Sequence, residues 1–295
     1  MIIAVTGSSG MIGSALCKFL ESSGHRVIRI SRNPDDEIFW NPADGVIDEK
    51  GLDGVNAVIH LAGENIAGRR WSNKQKSLIY ESRIKGTQLL TKTLAALPSP
   101  PEVLLSGSAI GFYGDSGDTP VDETSPQGDG FLASVCADWE SATKPAEEAG
   151  IRVVHLRTGI VLDPFNGMLE KVLPLFRLGL GGRLGKGNQY WSWIGLEDEI
   201  RLIAWLLSKD ISGPVNLTAP EPVTNAVFTK ALGSTLRKPT IFSVPSFGPQ
   251  LLIGQELARE LIFTSTRAIP AVAQSKGFQF NLPQINSGLK KILDY

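Results

Sequence analysis

Cysteine and histidine are scarce in this chain. Of its 295 residues two are cysteines, Cys17 and Cys136, and three are histidines, His25, His60 and His155. None of them falls into a metal-ligand or redox spacing, so neither a zinc site nor a disulfide framework is expected. No apolar run approaches the roughly 20 residues that a membrane-spanning helix needs. Neither sign of charge predominates. With 29 basic and 30 acidic residues the net charge is −1, which gives no electrostatic pull toward nucleic acid or a membrane surface. There is no internal repeat and no low-complexity tract. The first apolar segment starts at Ile2, which leaves no room for a signal peptide, and the unpaired cysteines suit a reducing cytoplasm. A hydrophobic content of 42% in a chain of this length is enough for one large domain, or a main domain with a smaller lobe.

Glycine is not scarce, and its placement near the start is informative. Ile2–Val5 is an apolar run, followed by Thr6, Gly7, Ser8, Ser9, Gly10, Met11, Ile12 and Gly13. The glycines at 7, 10 and 13 open an amphipathic segment from Met11 to Leu20. Strand, tight glycine turn and helix start form the arrangement that seats a dinucleotide pyrophosphate. The turn needs a residue without Cβ, and the helix N-terminus offers free N–H groups and a partial positive charge.

Strand-like and helix-like segments then alternate to about residue 160. Strands are expected at Arg26–Ser31, Ala57–Leu61, Val103–Ser106 and Arg152–Thr158. A long helix is expected over Asn73–Ala96, with Ser72 and Gln75 as a capping box. A second helix is expected over Phe131–Glu148, where Pro145 threatens a kink. Strands separated by helical crossovers imply a parallel sheet covered on both faces, with ligands beyond the carboxyl ends of the strands. Those ends are Thr6-Gly7, Ser31-Arg32, Leu61-Ala62-Gly63, Ser106-Gly107-Ser108 and Arg157-Thr158-Gly159. His155, in an apolar run, reads as a core residue.

After residue 160 the pattern loosens. Glycines gather between 179 and 187 around Arg183 and Lys186, without the spacing of a triphosphate loop. The stretch reads as a mobile surface loop, or as one that closes on an anionic substrate. Helices are expected around Glu197–Leu207 and Asn225–Leu236, a strand around Val215–Leu217, and a small mixed lobe in the last fifty residues. Trp191 and Trp193 flank Ser192 in a strand-like pattern and suit either a cleft wall or core packing.

The end of the second strand decides between cofactors. An acid there binds a ribose 2′-hydroxyl, whereas an Arg accommodates a 2′-phosphate. Here Ser31 and Arg32 stand side by side and no acid precedes Asp35, which favours NADP(H). The opposing reading is a solvated Arg32 with Asp35 or Asp36 turned in.

Together these residues resemble an extended short-chain dehydrogenase/reductase. The likeness rests on the glycine turn at 6–13, Leu61-Ala62-Gly63, Ser108 with Tyr113-Gly114, and Leu156-Arg157. Further segments resemble one subgroup along essentially the whole chain. They include Trp40-Asn41-Pro42, Arg70-Trp71-Ser72, Ser82-Arg83, Arg157-Thr158-Gly159, Ser192-Trp193-Ile194 and Asn216-Leu217-Thr218-Ala219-Pro220. Members of that subgroup are called epimerase family proteins or NAD-dependent epimerases, have their own C-terminal domain, and in some cases carry a cell-division-inhibitor label. The resemblance implies a Rossmann-type doubly wound parallel sheet with a smaller C-terminal mixed α/β lobe. It also implies a cofactor site from Thr6 to Gly13 with Ser31, Arg32, Trp40, Leu61, Ala62, Gly63, Glu64, Arg83, Arg157, Thr158 and Gly159.

In the wider family a Tyr and a Lys four residues later move the proton, aided by a Ser or Thr. Matched on the helix that ends at Glu140, those slots hold Leu132 and Cys136, which can do neither job. Tyr113 is the substitute candidate, with Ser108 orienting the substrate carbonyl. A free phenol near pKa 10 would lose roughly 4 kcal/mol as a base at neutral pH, so Tyr113 acting alone favours carbonyl reduction. Arg70 and Trp71, ahead of the long helix, suit an anionic or sugar-like substrate, as does Trp193. The expected division is 1–165, with 196–220 returning to it, against 166–195 and 221–295. The expected protein is a cytoplasmic monomer or homodimer that binds NADP(H) and a small molecule such as a sugar nucleotide. It is an oxidoreductase-like or epimerase-like enzyme or, as the alternative, a non-catalytic regulator.

Overall fold

Runs of aliphatic and β-branched residues become strands here, each stopped by a turn residue. The computed structural model describes residues 1–294. Its strands β1 (Ile2–Thr6), β2 (Arg26–Ser31), β3 (Ile38–Asn41), β4 (Val46–Ile47), β5 (Ala57–His60) and β6 (Val103–Ala109) join Arg152–Thr158 and Gly213–Leu217 in an eight-stranded sheet. The strand order is Gly213–Leu217, Arg152–Thr158, β6, β5, β1, β2, β3, β4. β1 pairs in parallel with both β2 and β5, and β5 pairs in parallel with β6. The short β4 is antiparallel to its neighbour, β3. The strand order reverses direction about β1, so its carboxyl end is the switch point where such sheets bind ligands.

Helices α1 (Met11–Ser22) and α2 (Asn73–Ala96) cover the sheet. Ala4, Ile30, Ile38, Val58, Leu90 and Leu104 are buried together in the main core cluster. Each fully buried aliphatic side chain contributes roughly 1.5–3 kcal/mol of transfer free energy. The expected cap of α2 is half made: Gln75 N–H donates to Ser72 Oγ at 3.2 Å, while the Gln75 side chain turns to Glu64 Oε1 at 3.2 Å. The helix expected over 131–148 is two helices, α3 (Phe131–Ser141) and α4 (Lys144–Glu148). Pro145 has no N–H to give to residue 141 and its ring crowds that carbonyl, so the first helix stops there.

The chain forms two compact units. One contains residues 1–108, 135–156 and 200–215; the other contains 109–134, 157–199 and the chain from Asn216 onward. Segments 109–134, 157–165, 196–199 and 216–220 thus fall outside the first unit, where the division read from sequence had them inside it. The second unit has its own core. It holds helix α5 (Gly167–Arg177), the first turn of α6 (Leu196–Leu207) and α7 (Asn225–Leu236), and Leu173, Phe176, Trp191, Phe228 and Leu232 pack together. The loose pattern after residue 160 hid α5, which carries Pro174 in its interior. The glycine-rich stretch contains a short strand, Gly182–Leu184, paired in parallel with Phe242–Val244. Among the described residues no helix is long and apolar enough to cross a membrane.

Candidate cofactor site

The glycine turn after β1 is built so that only glycine fits at two positions. Gly7 has φ +68°, and a Cβ there would meet Leu61 C at 2.8 Å. A Cβ on Gly13 would fall 2.1 Å from Gly7 O, so α1 lies against the turn. Gly10 precedes α1 in extended conformation, no side chain caps the helix and its first turn has no acid. The first N–H groups therefore remain open to an anion, and the helix dipole favours one. Ser8 and Met11 are half-buried beside this cradle and Ser9 is exposed.

The end of β5 is tied to this turn by a buried polar network that sequence reading did not find. Thr6 Oγ1 accepts from Leu61 N–H at 3.1 Å and Ala62 N–H at 3.2 Å. Its own proton then goes to His60 Nδ1, 2.7 Å away. His60 Nε2–H in turn donates to Thr87 Oγ1 at 3.0 Å, which also accepts from Trp139 Nε1–H at 2.9 Å. The arrangement needs a neutral imidazole. Burial, aided by the Arg83 charge, pushes the His60 pKa down to about 4. Beyond Gly63, the Glu64 N–H donates to Ser82 Oγ at 3.0 Å and Glu64 O accepts from Arg83 Nη1 at 3.0 Å. Residues 61–64 are thus held by Thr6 at one end and by α2 at the other.

At the end of β2, Arg32 is exposed. Ser31 Oγ donates to Asp36 Oδ2 and accepts from Asn33 N–H. Trp40 was expected at the cofactor from the resemblance. It is 4% exposed, packs in the core and meets the His60 ring edge-on at 5.7 Å, so it supports the cofactor-side network from behind. Arg70 is exposed, and Trp71, half-buried, donates Nε1–H to Ile66 O at 3.0 Å.

Ser108 ends the first unit's share of β6. It is buried, and its hydroxyl donates to Glu140 Oε1 at 2.7 Å. The other oxygen, Oε2, lies 3.9 Å from His155 Nδ1. Glu140 was missed, although a signal was present: it stands four residues after Cys136 and eight after Leu132, on the apolar face of α3. Leu132 and Cys136 are themselves buried.

The remaining candidates belong to the second unit. Tyr113 is 3% exposed, and its hydroxyl is fully engaged. It donates to Asn216 Oδ1 at 2.7 Å and accepts from Arg157 Nη1 at 3.0 Å. Burial pushes its pKa up to about 12 despite the neighbouring Arg157 charge. Arg157 also stacks on Phe112, 3.5 Å from the ring centre. Thr158 donates to Glu199 Oε1 at 2.9 Å, and Gly159 lies so close to Ser192 O that a Cβ would meet it at 2.6 Å. Trp193 is a core residue, 1% exposed, with its indole N–H given to Glu221 O at 3.1 Å.

Comparison with known proteins follows this geometry. Residues 3–218 match the model of the NAD dependent epimerase/dehydratase family, and residues 244–292 match a domain of unknown function, DUF1731. The chain belongs to the NAD dependent epimerase/dehydratase family. Among its relatives, an epimerase family protein of Mycobacterium bovis is 46% identical over 98% of this chain and 96% of its own length. The crystal structure of human epimerase family protein SDR39U1 with NADPH superposes with a TM-score of 0.90 at 32% identity, covering 100% of this chain and 99% of that one. A nucleoside-diphosphate sugar epimerase from Corynebacterium glutamicum gives 0.82 at 35% identity, covering 99% of this chain and 58% of that one.

The first unit fits the dinucleotide of this epimerase/dehydratase family. The cradle that a Cβ at Gly7 or Gly13 would fill, and the uncapped start of α1, match the shape and charge of a pyrophosphate. Residues 6–13 would hold it, with Leu61, Ala62 and Gly63 beside them.

Proposed function

We propose that the chain binds NADP(H) and works as an oxidoreductase-like or epimerase-like enzyme on a small molecule, with its proton passing through Ser108 and Glu140. The carrying observation is the 2.7 Å hydrogen bond from buried Ser108 to the half-buried Glu140 carboxylate at the carboxyl edge of the sheet. That hydrogen bond leaves the Ser108 lone pairs available to accept from a substrate hydroxyl. For an alcohol substrate, its proton passes to Ser108 Oγ while Ser108 gives its own to Glu140; reduction runs the same path backward. The bound nicotinamide supplies or accepts the hydride. Tyr113, offered from sequence as the proton donor, has no step in this reading, because its proton is already given to Asn216.

Exposed Arg32 and the NADPH in the human relative support the phosphorylated cofactor. The NAD reading rests on one contact: Asp36 stands at Ser31 and could accept from a ribose hydroxyl. The substrate class, a sugar nucleotide, is drawn from the name of the Corynebacterium glutamicum protein, with Arg70 and Trp71 as its contacts. The setting is a reducing cytoplasm, as a monomer or homodimer, without nucleic acid or membrane. Turnover is tested by following nicotinamide fluorescence with a panel of carbonyl compounds and sugar nucleotides. Turnover lost at least tenfold in Ser108→Ala and Glu140→Gln supports the reading. Tight NADPH binding with no turnover across the panel favours a cofactor-binding regulator, the reading that Leu132 and Cys136 support.

A further inference from the structure

Arg83 is a buried cation whose hydrogen bonds are incomplete. It is 8% exposed. Nη1 donates to Glu64 O at 3.0 Å and Ile79 O at 3.2 Å, while Nη2 and Nε have no hydrogen-bond partner among the described residues. The guanidinium rests on the Trp139 ring, 4.9 Å from its centre. On another side is the backbone of Gly63, where a Cβ would meet the guanidinium at 3.1 Å. The Cys136 thiol, one turn before Trp139 on α3, is near enough to act on the Arg83 charge. Burying a cation with open N–H groups is costly unless an acceptor completes them. Arg83 is thus held rigidly, by backbone carbonyls and a tryptophan face, with two donors left over.

Strand order says which acceptor would arrive there. A pyrophosphate at the end of β1, with an adenosine phosphate toward Arg32 at the end of β2, sends the other half of the dinucleotide over β5 and β6. Arg83 stands at the end of β5, behind Gly63. Resting on the cofactor reading above, we propose that Arg83 donates Nη2–H and Nε–H to oxygen acceptors in the nicotinamide-ribose half of the cofactor, and so supplies the fixed positive charge of that half-site. Position 136, the family's lysine slot, carries a thiol here, and the charge comes from α2 instead. A guanidinium holds its proton at any working pH. It can therefore orient the cofactor but not relay a proton, which leaves that task to Ser108 and Glu140.

The test compares two ligands by isothermal titration. NADPH carries both halves, whereas 2′,5′-ADP carries only the adenosine phosphate half. Arg83→Met is expected to weaken NADPH at least tenfold and to leave 2′,5′-ADP within twofold. Arg83→Lys keeps the charge and the stem without the fork, and is expected to weaken NADPH severalfold with 2′,5′-ADP unchanged. This second variant carries the test if the first does not fold by circular dichroism. Equal NADPH affinity in the variants and the parent overturns the proposal, and so does equal weakening of both ligands, which marks Arg83 as a clamp for residues 61–64. Failure of the parent protein to bind either ligand refutes the cofactor reading itself.

Discussion

Two buried titratable side chains set opposite limits on stability. His60 titrates near 6.5 when unfolded but only at about 4 in the fold, because burial disfavours its charged form. The unfolded chain therefore binds a proton first as pH falls. Stability from this residue is complete above about pH 6.5 and is lost down to pH 4, by about 3 kcal/mol in all. Glu199 runs the other way. It is fully buried, its Oε2 has no hydrogen-bond partner, and burial raises its pKa from 4.5 to about 8. The fold keeps a proton that the unfolded chain loses, so stability is full below pH 4.5 and declines toward pH 8. Glu199→Gln should raise the melting temperature at pH 8.5 and change it little at pH 5; an unchanged pH profile would remove Glu199 as the cause. Tyr113→Phe deletes the acceptor of Arg157 and the donor to Asn216, which should cost about 1–3 kcal/mol in denaturant unfolding. Turnover per folded molecule should stay within twofold, because Tyr113 lies outside the Ser108–Glu140 proton path. None of these three partnerships was legible in the sequence, because each joins residues at least 41 positions apart.

Elements were more legible where local signals agreed. β2, α2 and α7 fall at the bounds read from sequence; Ser72, read as a cap, accepts a backbone N–H at the start of α2, and Thr224, a cap not read from sequence, does the same for α7. β3 and α5 were missed: the first is four residues long and the second has an interior proline. The glycine turn is the element on which cofactor binding depends. Gly13→Ala would drive a Cβ to 2.1 Å from Gly7 O and push α1 off the turn. A destabilisation of about 1–3 kcal/mol is expected, with NADPH affinity reduced at least tenfold. Gly24→Ala is the control. Its φ is +83° with open space around it, so alanine costs stability through backbone strain alone. NADPH titration of both variants checks the contrast: affinity should fall in the first and hold in the second.

At the scale of the whole molecule, the family match and the domain of unknown function are woven together in the second unit. Arg267 and Ala268 pair with Pro120 and Val121. Ser192 Oγ donates to Thr266 O at 2.8 Å and accepts from Ala268 N–H at 2.8 Å. Glu260 accepts from the N–H groups of Phe131 and Leu132 at the start of α3. Removing residues 244–295 strips all of these at once, so the truncated chain should lose the cooperative unfolding of this unit by calorimetry. A sequence read from its start finds the sheet, because parallel strands announce themselves one by one. It cannot show that 109–134 joins a region more than a hundred residues later, since those contacts are one two-residue strand pairing and scattered hydrogen bonds without a local pattern. The central claim is that the turn at Gly7–Gly13 with Arg32 binds a phosphorylated dinucleotide. Calorimetric titration of the intact chain with NADPH and with NADH tests it most directly. NADPH is expected to bind at least tenfold tighter than NADH, with the difference abolished in Arg32→Ala; equal or tighter NADH binding would remove Arg32 as the 2′-phosphate contact.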